Sequence, residues 1–257
     1  MMRVAVVGAA GKMGAKVLEA SSAAPDISVV AALVGPADAP RTLGPQRIPA
    51  SAEIGAGIAG CDVAVDFSGP GGFDEALARC VEHRKAFVSG TTGLDEEHFR
   101  ALDAAAAVIP VLWAANFSVG VNVLGHLTEL ASRALEGFDI EIFEAHHRRK
   151  VDAPSGTALY LGRAAAAGRG VELDAAARWA RRGQIGARTD DEIGFQVLRG
   201  GSIVGEHTVF FCGAGERVEI THRAEDRGIF AHGAVRAARW LVEQPPGRYT
   251  MADALFG

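Results

Sequence analysis

Cysteine is scarce in this sequence, and its positions exclude two of its common structural uses. The 257 residues include only Cys61, Cys80 and Cys212, an odd number at wide spacing. Such spacing does not fit the paired cysteines of a disulfide-stabilised secreted domain, and it suits a reducing compartment. No Cys-x-x-Cys pair is present, so the sequence offers no zinc site. We therefore expect a cytoplasmic protein without a bound metal.

Long apolar runs and an excess of positive charge are also absent. No stretch reaches the length that spans a bilayer, and the amino terminus enters a strand-like run without a separate apolar region and cleavage site. The formal net charge of -5 argues against nucleic acid as the main partner. Hydrophobic residues make up 49% of the chain, which is enough for a core. These totals predict a soluble protein of one large or two modest domains that binds neither nucleic acid nor membrane.

A glycine-rich turn follows the first predicted strand. Residues 3–7 form a short β-branched run, Gly8, Gly11 and Gly14 follow at GxxGxxG spacing, and a helical pattern begins at once. Gly8 permits a tight turn, Gly11 lets the backbone approach a pyrophosphate, and Gly14 lets helix and strand pack closely. The spacing differs from the GxGxxG fingerprint, and a glycine-rich turn without a ligand is the alternative. The place of the motif between strand and helix favours a dinucleotide site.

Strand and helix patterns alternate through the first half of the chain. Further apolar runs typical of buried strands lie at residues 27–34, 62–66, 86–89 and 108–113. Such alternation predicts a Rossmann-like, doubly wound parallel sheet whose strands end at a ligand-binding edge. Four prolines within residues 35–50 predict a loop there. Turns follow two of the strands, a small-residue turn at positions 90–92 and another at 114–117, and for both an ordinary loop and a coenzyme contact remain open.

The pattern changes toward the C-terminal end. Apolar and polar residues alternate, and glycine turns at residues 200–201 and 213–215 separate the predicted strands. Strands joined by such turns favour antiparallel pairing, which cannot continue a parallel sheet. We therefore predict a second, α+β domain with a mixed, largely antiparallel sheet over residues 118–227. The first domain spans residues 1–117 and is completed by residues 228–257, where an alanine-containing helix can pack back on its sheet.

One segment combines a basic run with a helix start. His146 and His147 open five consecutive potential cations that end at Lys150, in a chain of negative net charge. Neighbouring cations repel one another, which favours an anionic ligand, although a solvated basic loop is the alternative. Pro154 disfavours the helical region for the residue before it, so Ser155 is the natural N-cap of a helix. The free N–H groups of the first helical turn would suit a carboxylate or phosphate.

Histidine and lysine beside an anion site indicate a reaction as well as binding. A nicotinamide coenzyme transfers hydride, and hydride addition to a conjugated imine leaves a centre that needs a proton. His146 or Lys150 could donate that proton, because both can act as general acids when their environment tunes them. The residues alone therefore predict a reductase of a small, anionic, unsaturated substrate.

Residues 144–158 resemble the signature of the 4-hydroxy-tetrahydrodipicolinate reductases, also called dihydrodipicolinate reductases, of diaminopimelate and lysine biosynthesis. Further blocks resemble the family in the same order, at residues 8–14, 90–93, 115–120, 203–208 and 215–222. The resemblance implies NAD(P)H-dependent reduction of 4-hydroxy-tetrahydrodipicolinate to tetrahydrodipicolinate by a two-domain protein, usually a homotetramer. It makes His146 the proton donor and Lys150 its catalytic partner. The substrate carboxylates are then expected at His147, Gly156 and Thr157.

The same resemblance implies a coenzyme site along the first sheet. Its residues are expected to be Gly8, Ala9, Ala10, Gly11, Lys12, Met13, Gly90, Thr91, Thr92, Ala114, Ala115, Asn116 and Phe117. Many members of the family end the second strand with an acidic residue, often followed by Arg, whereas this chain has Val34 and Gly35 there. Because neither residue can select between NADH and NADPH, we expect both coenzymes to be used.

Two other functions are alternatives. A dinucleotide-binding redox sensor could keep the fold without catalysis, but it would have no need of the His146 and Lys150 pair. An aspartate-dehydrogenase or semialdehyde-type enzyme has a similar architecture, but no cysteine of this chain lies in a nucleophile context. Reduction of a small dicarboxylate is therefore the favoured prediction.

Overall fold

The structure is a computed structural model that describes residues 1–39 and 41–257. The chain divides into two compact units. Unit 1 comprises Met1–Val119 together with Gly228–Gly257, and unit 2 comprises Gly120–Arg227. Within the described residues, no helix has the length and apolar composition needed to cross a membrane.

Strands and helices alternate along most of the chain. The strands are β1 (Met2–Val7), β2 (Ile27–Leu33), β3 (Thr42–Leu43), β4 (Ile48–Ser51), β5 (Val63–Asp66), β6 (Ala86–Ser89), β7 (Pro110–Trp113), β8 (Asp139–His146), β9 (Ala177–Arg178), β10 (Ile193–Arg199), β11 (Gly205–Cys212), β12 (Arg217–Ala224) and β13 (Gly247–Tyr249). The α-helices are α1 (Lys12–Ser22), α2 (Ile54–Ala59), α3 (Pro70–His83), α4 (Glu96–Ala106), α5 (Val119–Ala134), α6 (Gly156–Arg169), α7 (Leu173–Ala176), α8 (Gly228–Leu241) and α9 (Met251–Phe256). A 3₁₀ helix, Pro36–Asp38, follows β2.

Unit 1 contains an eight-stranded sheet in the order β13-β7-β6-β5-β1-β2-β4-β3. Neighbouring strands pair in parallel, except that β3 pairs antiparallel with β4. The chain moves outward from β1 to β2 and later returns to the other side of β1 with β5. This reversal is the switch point at which α/β sheets bind ligands. The Rossmann-like, doubly wound sheet predicted from the sequence is confirmed.

Apolar residues on both faces explain why β1 lies inside this sheet. Val4 and Val6 enter one core cluster, whereas Ala5 and Val7 enter the cluster on the other face, as the two-residue period of a strand requires. Helices α1 and α8 pack against each other over the first face, and α8 also contacts β5, β6 and β7. Alanines such as Ala234 are fully buried in α8 and allow this close approach.

Residues 35–39 and 41–50 are not the plain loop that the prolines predict, and residue 40, which the same prediction covers, lies outside the described residues. They include β3 and most of β4, and β4 pairs in parallel with the end of β2. Pro49 lies in β4 opposite Thr42, and proline is tolerated here because these short strands are at the margin of the sheet. Strand β13, at the opposite edge, was also not predicted. Elements of two to four residues are too short to show a hydrophobic period.

Unit 2 contains a five-stranded mixed sheet in the order β12-β11-β8-β10-β9. Strand β11 pairs antiparallel with β8 and β12, and β10 pairs in parallel with β8 and β9. The mixed sheet is confirmed, but the prediction that the glycine turn at residues 200–201 joins an antiparallel pair is wrong. Strand β8 lies between β10 and β11, so this turn carries the chain across it. A local turn signal could not reveal a strand that comes from much earlier in the chain.

The parallel pairing of β8 and β10 determines where the chemistry of unit 2 lies. Ile142, Phe195 and Phe211 of the sheet form its core together with Leu161 of α6. The two parallel strands end side by side, with Arg199 directly opposite His146. The basic run follows β8, so the sheet brings that run and the end of β10 to the same edge.

Candidate active site

The glycine motif of unit 1 forms a turn that larger residues could not adopt. Gly8 has a φ of +74°, and a Cβ there would lie 2.6 Å from the carbonyl oxygen of Phe67. A Cβ on Gly14 would lie 2.2 Å from the carbonyl oxygen of Gly8. The first glycine therefore permits the left-handed conformation, and the last permits the close contact between α1 and the end of β1.

The start of α1 has the features of a phosphate site. Gly11 is its N-cap, and among the described residues no side chain caps this end and no acidic residue lies in the first turn. The first N–H groups of a helix lack intrahelical partners and carry a partial positive charge. Lys12 is exposed at the first helical position. These residues fit the pyrophosphate of a dinucleotide, because they offer donors without a competing carboxylate.

Asp66 organises the same edge of the sheet and was not predicted as a site residue. It is fully buried at the end of β5 and accepts hydrogen bonds from Ser68 Oγ (2.5 Å), Ser89 Oγ (2.7 Å) and Thr91 Oγ1 (2.7 Å). Burial raises the pKa of Asp66, although these hydrogen bonds oppose the rise. The aspartate ties the turn after β5 to the turn after β6. The sequence did contain a signal for Asp66, because an acidic residue stands at the end of an otherwise apolar strand.

The predicted coenzyme residues lie at one edge of unit 1, in turns except for Lys12 and Met13, which begin α1. Trp113 Nε1 donates to the carbonyl of Thr91 (2.9 Å), which links the turns after β6 and β7. Asn116 Oδ1 accepts from the backbone N–H of Ser118 (2.8 Å), and the Phe117 ring packs inside the unit. Exposed members of the predicted set are Ala10, Gly11, Lys12, Thr92 and Ala115. Ala9, Thr91 and Phe117 are buried, so their side chains support the turns.

His146 of unit 2 is held by a hydrogen bond from inside the fold. Its Nδ1 lies 2.5 Å from Oε2 of Glu144, which is two residues earlier on the same face of β8. Both residues are buried within unit 2. The other ring nitrogen, Nε2, faces Gly205, where a Cβ would lie 3.0 Å away. Glycine at this position adds no side chain of its own against Nε2.

Glu144 is the centre of a buried ionic network. Arg199 Nη1 and Nη2 donate to its two oxygens at 2.7 and 2.8 Å, and the backbone N–H of Ser155 donates to Oε1 at 2.9 Å. Burial would raise the pKa of Glu144, but hydrogen bonds from His146, Arg199 and Ser155 together hold it at about 2. Glu144 is therefore ionised at neutral pH, and it anchors the start of α6 as well as His146.

A second buried histidine stands beside the first. The rings of His207 and His146 are arranged edge to face, with their centroids 5.1 Å apart. His207 Nε2 is 3.2 Å from Ser155 Oγ. Ser155 Oγ also accepts the N–H of Ala158 and so caps α6, as predicted. Burial, followed by the charge of His146, lowers the pKa of His207 to about 3. His207 is therefore neutral and adds no competing charge.

The remaining predicted residues lie around this cluster. The Lys150 ammonium pairs with the Asp152 carboxylate at 2.8 Å. His147 is half-buried, and burial lowers its pKa with help from the charge of Arg149. Gly156 is exposed at the first position of α6, and a Cβ there would meet nothing within 4 Å among the described residues. Space therefore exists above the helix start for a ligand.

Unit 1 has a dinucleotide-type edge on a doubly wound sheet. Unit 2 has a buried carboxylate–imidazole pair beside an open helix start. Together, these features define a nicotinamide-dependent oxidoreductase. Two family models identify a particular family of such oxidoreductases. "Dihydrodipicolinate reductase, N-terminus" matches residues 2–117, and "Dihydrodipicolinate reductase, C-terminus" matches residues 120–255. The chain therefore belongs to the dihydrodipicolinate reductase family, which confirms the resemblance seen in residues 144–158.

Relatives share nearly the whole length of the chain. The 4-hydroxy-tetrahydrodipicolinate reductase of Alkalilimnicola ehrlichii is 49% identical over 262 residues, which cover 98% of both chains. The reductase of the same name from Chromohalobacter salexigens is 47% identical over 265 residues, covering 99% of this chain and 98% of the relative. A dipicolinate-bound dihydrodipicolinate reductase from Paenisporosarcina sp. TG-14 has a TM-score of 0.80 at 22% identity, with 100% of both chains covered. This last likeness shows a shared fold.

Proposed function

We propose that this protein reduces 4-hydroxy-tetrahydrodipicolinate to tetrahydrodipicolinate with a reduced nicotinamide coenzyme, in diaminopimelate and lysine biosynthesis. One observation of the site carries the proposal. His146 is a buried imidazole held 2.5 Å from an ionised carboxylate, at the edge where the basic run and the open start of α6 meet. Such an imidazole suits proton donation beside an anionic substrate.

The coenzyme supplies the hydride, and unit 1 binds it in this proposal. The open start of α1 holds the pyrophosphate, and the turns after β6 and β7 line the nicotinamide end. Gly8, Ala9, Ala10, Gly11, Lys12, Met13, Gly90, Thr91, Thr92, Ala114, Ala115, Asn116 and Phe117 contribute to this site. The Asp66 hydrogen bonds support it by holding two of these turns together.

Unit 2 binds and protonates the substrate in this proposal. His146 donates the proton from Nε2, and Lys150 assists as a second cation once the substrate displaces its Asp152 partner. His147 and the N–H groups of Gly156 and Thr157 hold the carboxylates. The exposed Gly156 supports this role, because a Cβ there would meet no described atom within 4 Å and the glycine adds no side chain at the start of α6.

A coupled assay tests the function. The substrate is generated from aspartate semialdehyde and pyruvate by the upstream synthase, and oxidation of the reduced coenzyme is followed by absorbance. We expect oxidation that depends on both the synthase and this protein. Dipicolinate is bound in the solved relative, and we expect it to inhibit competitively. Coenzyme oxidation that is independent of the synthase, or absent, would contradict the proposal.

We extend the proposal to a cytoplasmic homotetramer assembled through unit 2. Val197, Leu198 and Val218 of its sheet are each about two-fifths exposed, at 40%, 42% and 38%. These apolar side chains, exposed on β10 and β12 of one sheet, support burial against another subunit. The three cysteines are free thiols, which suits a reducing compartment. Light scattering coupled to size-exclusion chromatography measures the assembly.

A further inference from the structure

Arg199 and Glu144 form a charge pair that the proposed chemistry does not yet use. Arg199 grips both oxygens of Glu144 and also donates from Nη2 to the carbonyl of Asp152 at 2.6 Å. The glutamate side chain is 1% exposed, whereas that of Arg199 is 20% exposed. One oxygen of Glu144 also meets His146. Arg199, Glu144 and His146 are therefore linked by hydrogen bonds in that order. The series runs from the end of β10, through Glu144, to the proton donor on β8.

An ionised Glu144 determines which nitrogen of His146 carries the fixed proton. A carboxylate accepts hydrogen bonds and cannot donate them. At 2.5 Å, His146 Nδ1 must therefore keep its hydrogen and point it at Oε2 of Glu144. Nε2 is then the nitrogen that gains and loses the proton during turnover. This nitrogen faces Gly205, which has no side chain of its own to place against it.

Arg199 limits the effect of the carboxylate on this imidazole. An unbalanced buried anion in contact with His146 would strongly favour the imidazolium form and hold its proton tightly. A bidentate guanidinium neutralises most of that charge while leaving the hydrogen bond in place. The pair therefore orients the imidazole while its own two charges offset each other. A general acid works best when it titrates near the working pH.

The other groups around His146 do not replace this pair. His207 on β11 is neutral at working pH, because burial lowers its pKa to about 3. Lys150 and Asp152 in the loop after β8 pair with each other. His147 follows on the same strand end, and its pKa is lowered, first by burial. Glu144 and Arg199 are thus the charged groups in hydrogen-bonded line with the imidazole.

We propose that Glu144 and Arg199 are positioning residues of the reductase, which together select the Nδ1–H form of His146 and set the pH at which it releases its proton. This proposal rests on the proposed function for its link to turnover. Its structural content concerns His146 alone, and it can be measured without substrate or coenzyme.

Two substitutions at the pair should move the titration of His146 in opposite directions. Glu144→Gln keeps an oxygen that can accept from Nδ1 but removes the negative charge, so the imidazolium loses support. The midpoint should fall by about one pH unit or more. Arg199→Gln leaves the Glu144 charge unbalanced, so the midpoint should rise. Because the acid must be protonated to act, the pH above which kcat declines should move down in the first variant and up in the second. Turnover at pH 8 should fall at least about tenfold in Glu144→Gln.

Nuclear magnetic resonance of ¹⁵N-labelled imidazoles gives the direct readout on the wild-type protein. Above the midpoint, we expect the neutral ring of His146 to carry hydrogen on Nδ1, although free histidine favours Nε2. This measurement needs no variant, so it stands even where Arg199→Gln fails to fold. The Nε2–H form in the wild type would overturn the proposal, as would shifts of the two variants in the same direction.

A matched control separates these effects from a general loss of charge. Glu129 and Arg133 form an exposed ion pair on α5 at 2.8 Å. Glu129→Gln and Arg133→Gln should leave the His146 titration and the kcat profile unchanged. If the coupled assay shows no activity but the Nδ1–H form and the opposite shifts are found, the proposed function fails and the positioning role stands. Activity with unshifted titrations would instead support the proposed function and overturn the positioning role.

Discussion

At the scale of single residues, His146 and Lys150 differ in how the fold prepares them. His146 is buried, oriented and hydrogen-bonded before any ligand arrives. Lys150 is about one-fifth exposed and is paired with an exposed carboxylate, Asp152, that can rotate away. An ion pair of this kind is worth about 0–1 kcal/mol, so a dianionic substrate can replace it at small cost. The imidazole therefore suits the role of proton donor. The lysine suits a mobile partner that leaves Asp152 when the substrate binds.

This difference leads to a prediction for the two residues. His146→Gln and Lys150→Ala should each lower kcat about a hundredfold or more, because each removes a group that acts at the protonation step. Coenzyme affinity, measured by fluorescence titration, should stay nearly unchanged, because both residues belong to unit 2. Arg148→Ala is the control, since this exposed cation of the same run has no assigned role. Turnover within a few-fold of the wild type in both variants would contradict the assignment.

The same residues show what the sequence could and could not reveal. Glu144 precedes His146 by two positions, so the period of a strand already places them on one face. Arg199 could not be found in this way. It is far along the chain and reaches Glu144 only because β10 pairs in parallel with β8, in a register that sets Arg199 opposite His146. His207 likewise depends on the antiparallel pairing of β11 with β8.

At the scale of elements, the start of α6 combines a cap with an open face. Ser155 caps the helix through Ala158, and its own N–H is taken by Glu144. The amides of Gly156 and Thr157 come next, where a helix terminus favours an anion. A side chain at Gly156 would meet no described protein atom within 4 Å. The site is therefore free of protein crowding, and any group added there enters the space proposed for a substrate carboxylate.

Gly156→Ala should thus separate stability from binding. Alanine in a helical position reduces the freedom of the unfolded chain and stabilises by about 0.4–1 kcal/mol. The same methyl group should raise KM and weaken dipicolinate inhibition about tenfold or more, by loss of a charge-assisted hydrogen bond. Thermal melting and inhibition assays measure the two effects. Gly71→Ala, in the first turn of α3 and equally uncrowded, should stabilise without changing KM. Unchanged inhibition in Gly156→Ala would exclude a carboxylate at this helix start.

Long elements were more predictable than short ones. The sequence predicted the central strands of unit 1, the helices beside them and the N-cap at Ser155, because apolar runs and capping residues are local signals. Strand β4 was missed because the prolines of residues 35–50, of which only Pro49 lies in β4, indicated a loop. The placement of β10 and β11 on opposite sides of β8 was missed because pairing between distant strands leaves no local mark.

At the scale of the whole molecule, the charge balance opposes the ligands it is proposed to bind. The chain carries a net charge of -5, whereas the coenzyme and the dicarboxylate are both anionic. Local groups must therefore supply the attraction, and its range is about 8–10 Å at physiological ionic strength. In unit 1, Lys12 lies at the start of α1, and Arg41 lies beyond β2, paired with Asp38 at 2.8 Å. NADPH carries an additional phosphate, so it should depend on such cations more than NADH does.

The residues at the end of β2 explain why selectivity should be weak. Val34 is 5% exposed and its N–H donates to the carbonyl of Ser51 at 3.0 Å, so its side chain belongs to the core. Gly35 is exposed, and a Cβ there would meet nothing within 4 Å among the described residues. An acidic residue at the end of this strand would contact the ribose hydroxyls and repel a 2′-phosphate. Gly35 can do neither, and it is the better position at which to introduce that carboxylate.

We predict that the wild type uses NADH and NADPH with kcat/KM values within about tenfold, or about 1.4 kcal/mol. Gly35→Asp should shift preference toward NADH, and Lys12→Gln should lower efficiency with NADPH more than with NADH, because Lys12 can meet a phosphate only as a point charge. Arg84→Gln is the control, since it removes one positive charge just before β6, at the opposite end of the parallel strands. The difference in kcat/KM between NADH and NADPH should also become smaller as the salt concentration is raised. A wild-type preference of about a thousandfold for either coenzyme, about 4 kcal/mol, would require a specific contact that neither Lys12 nor the end of β2 provides.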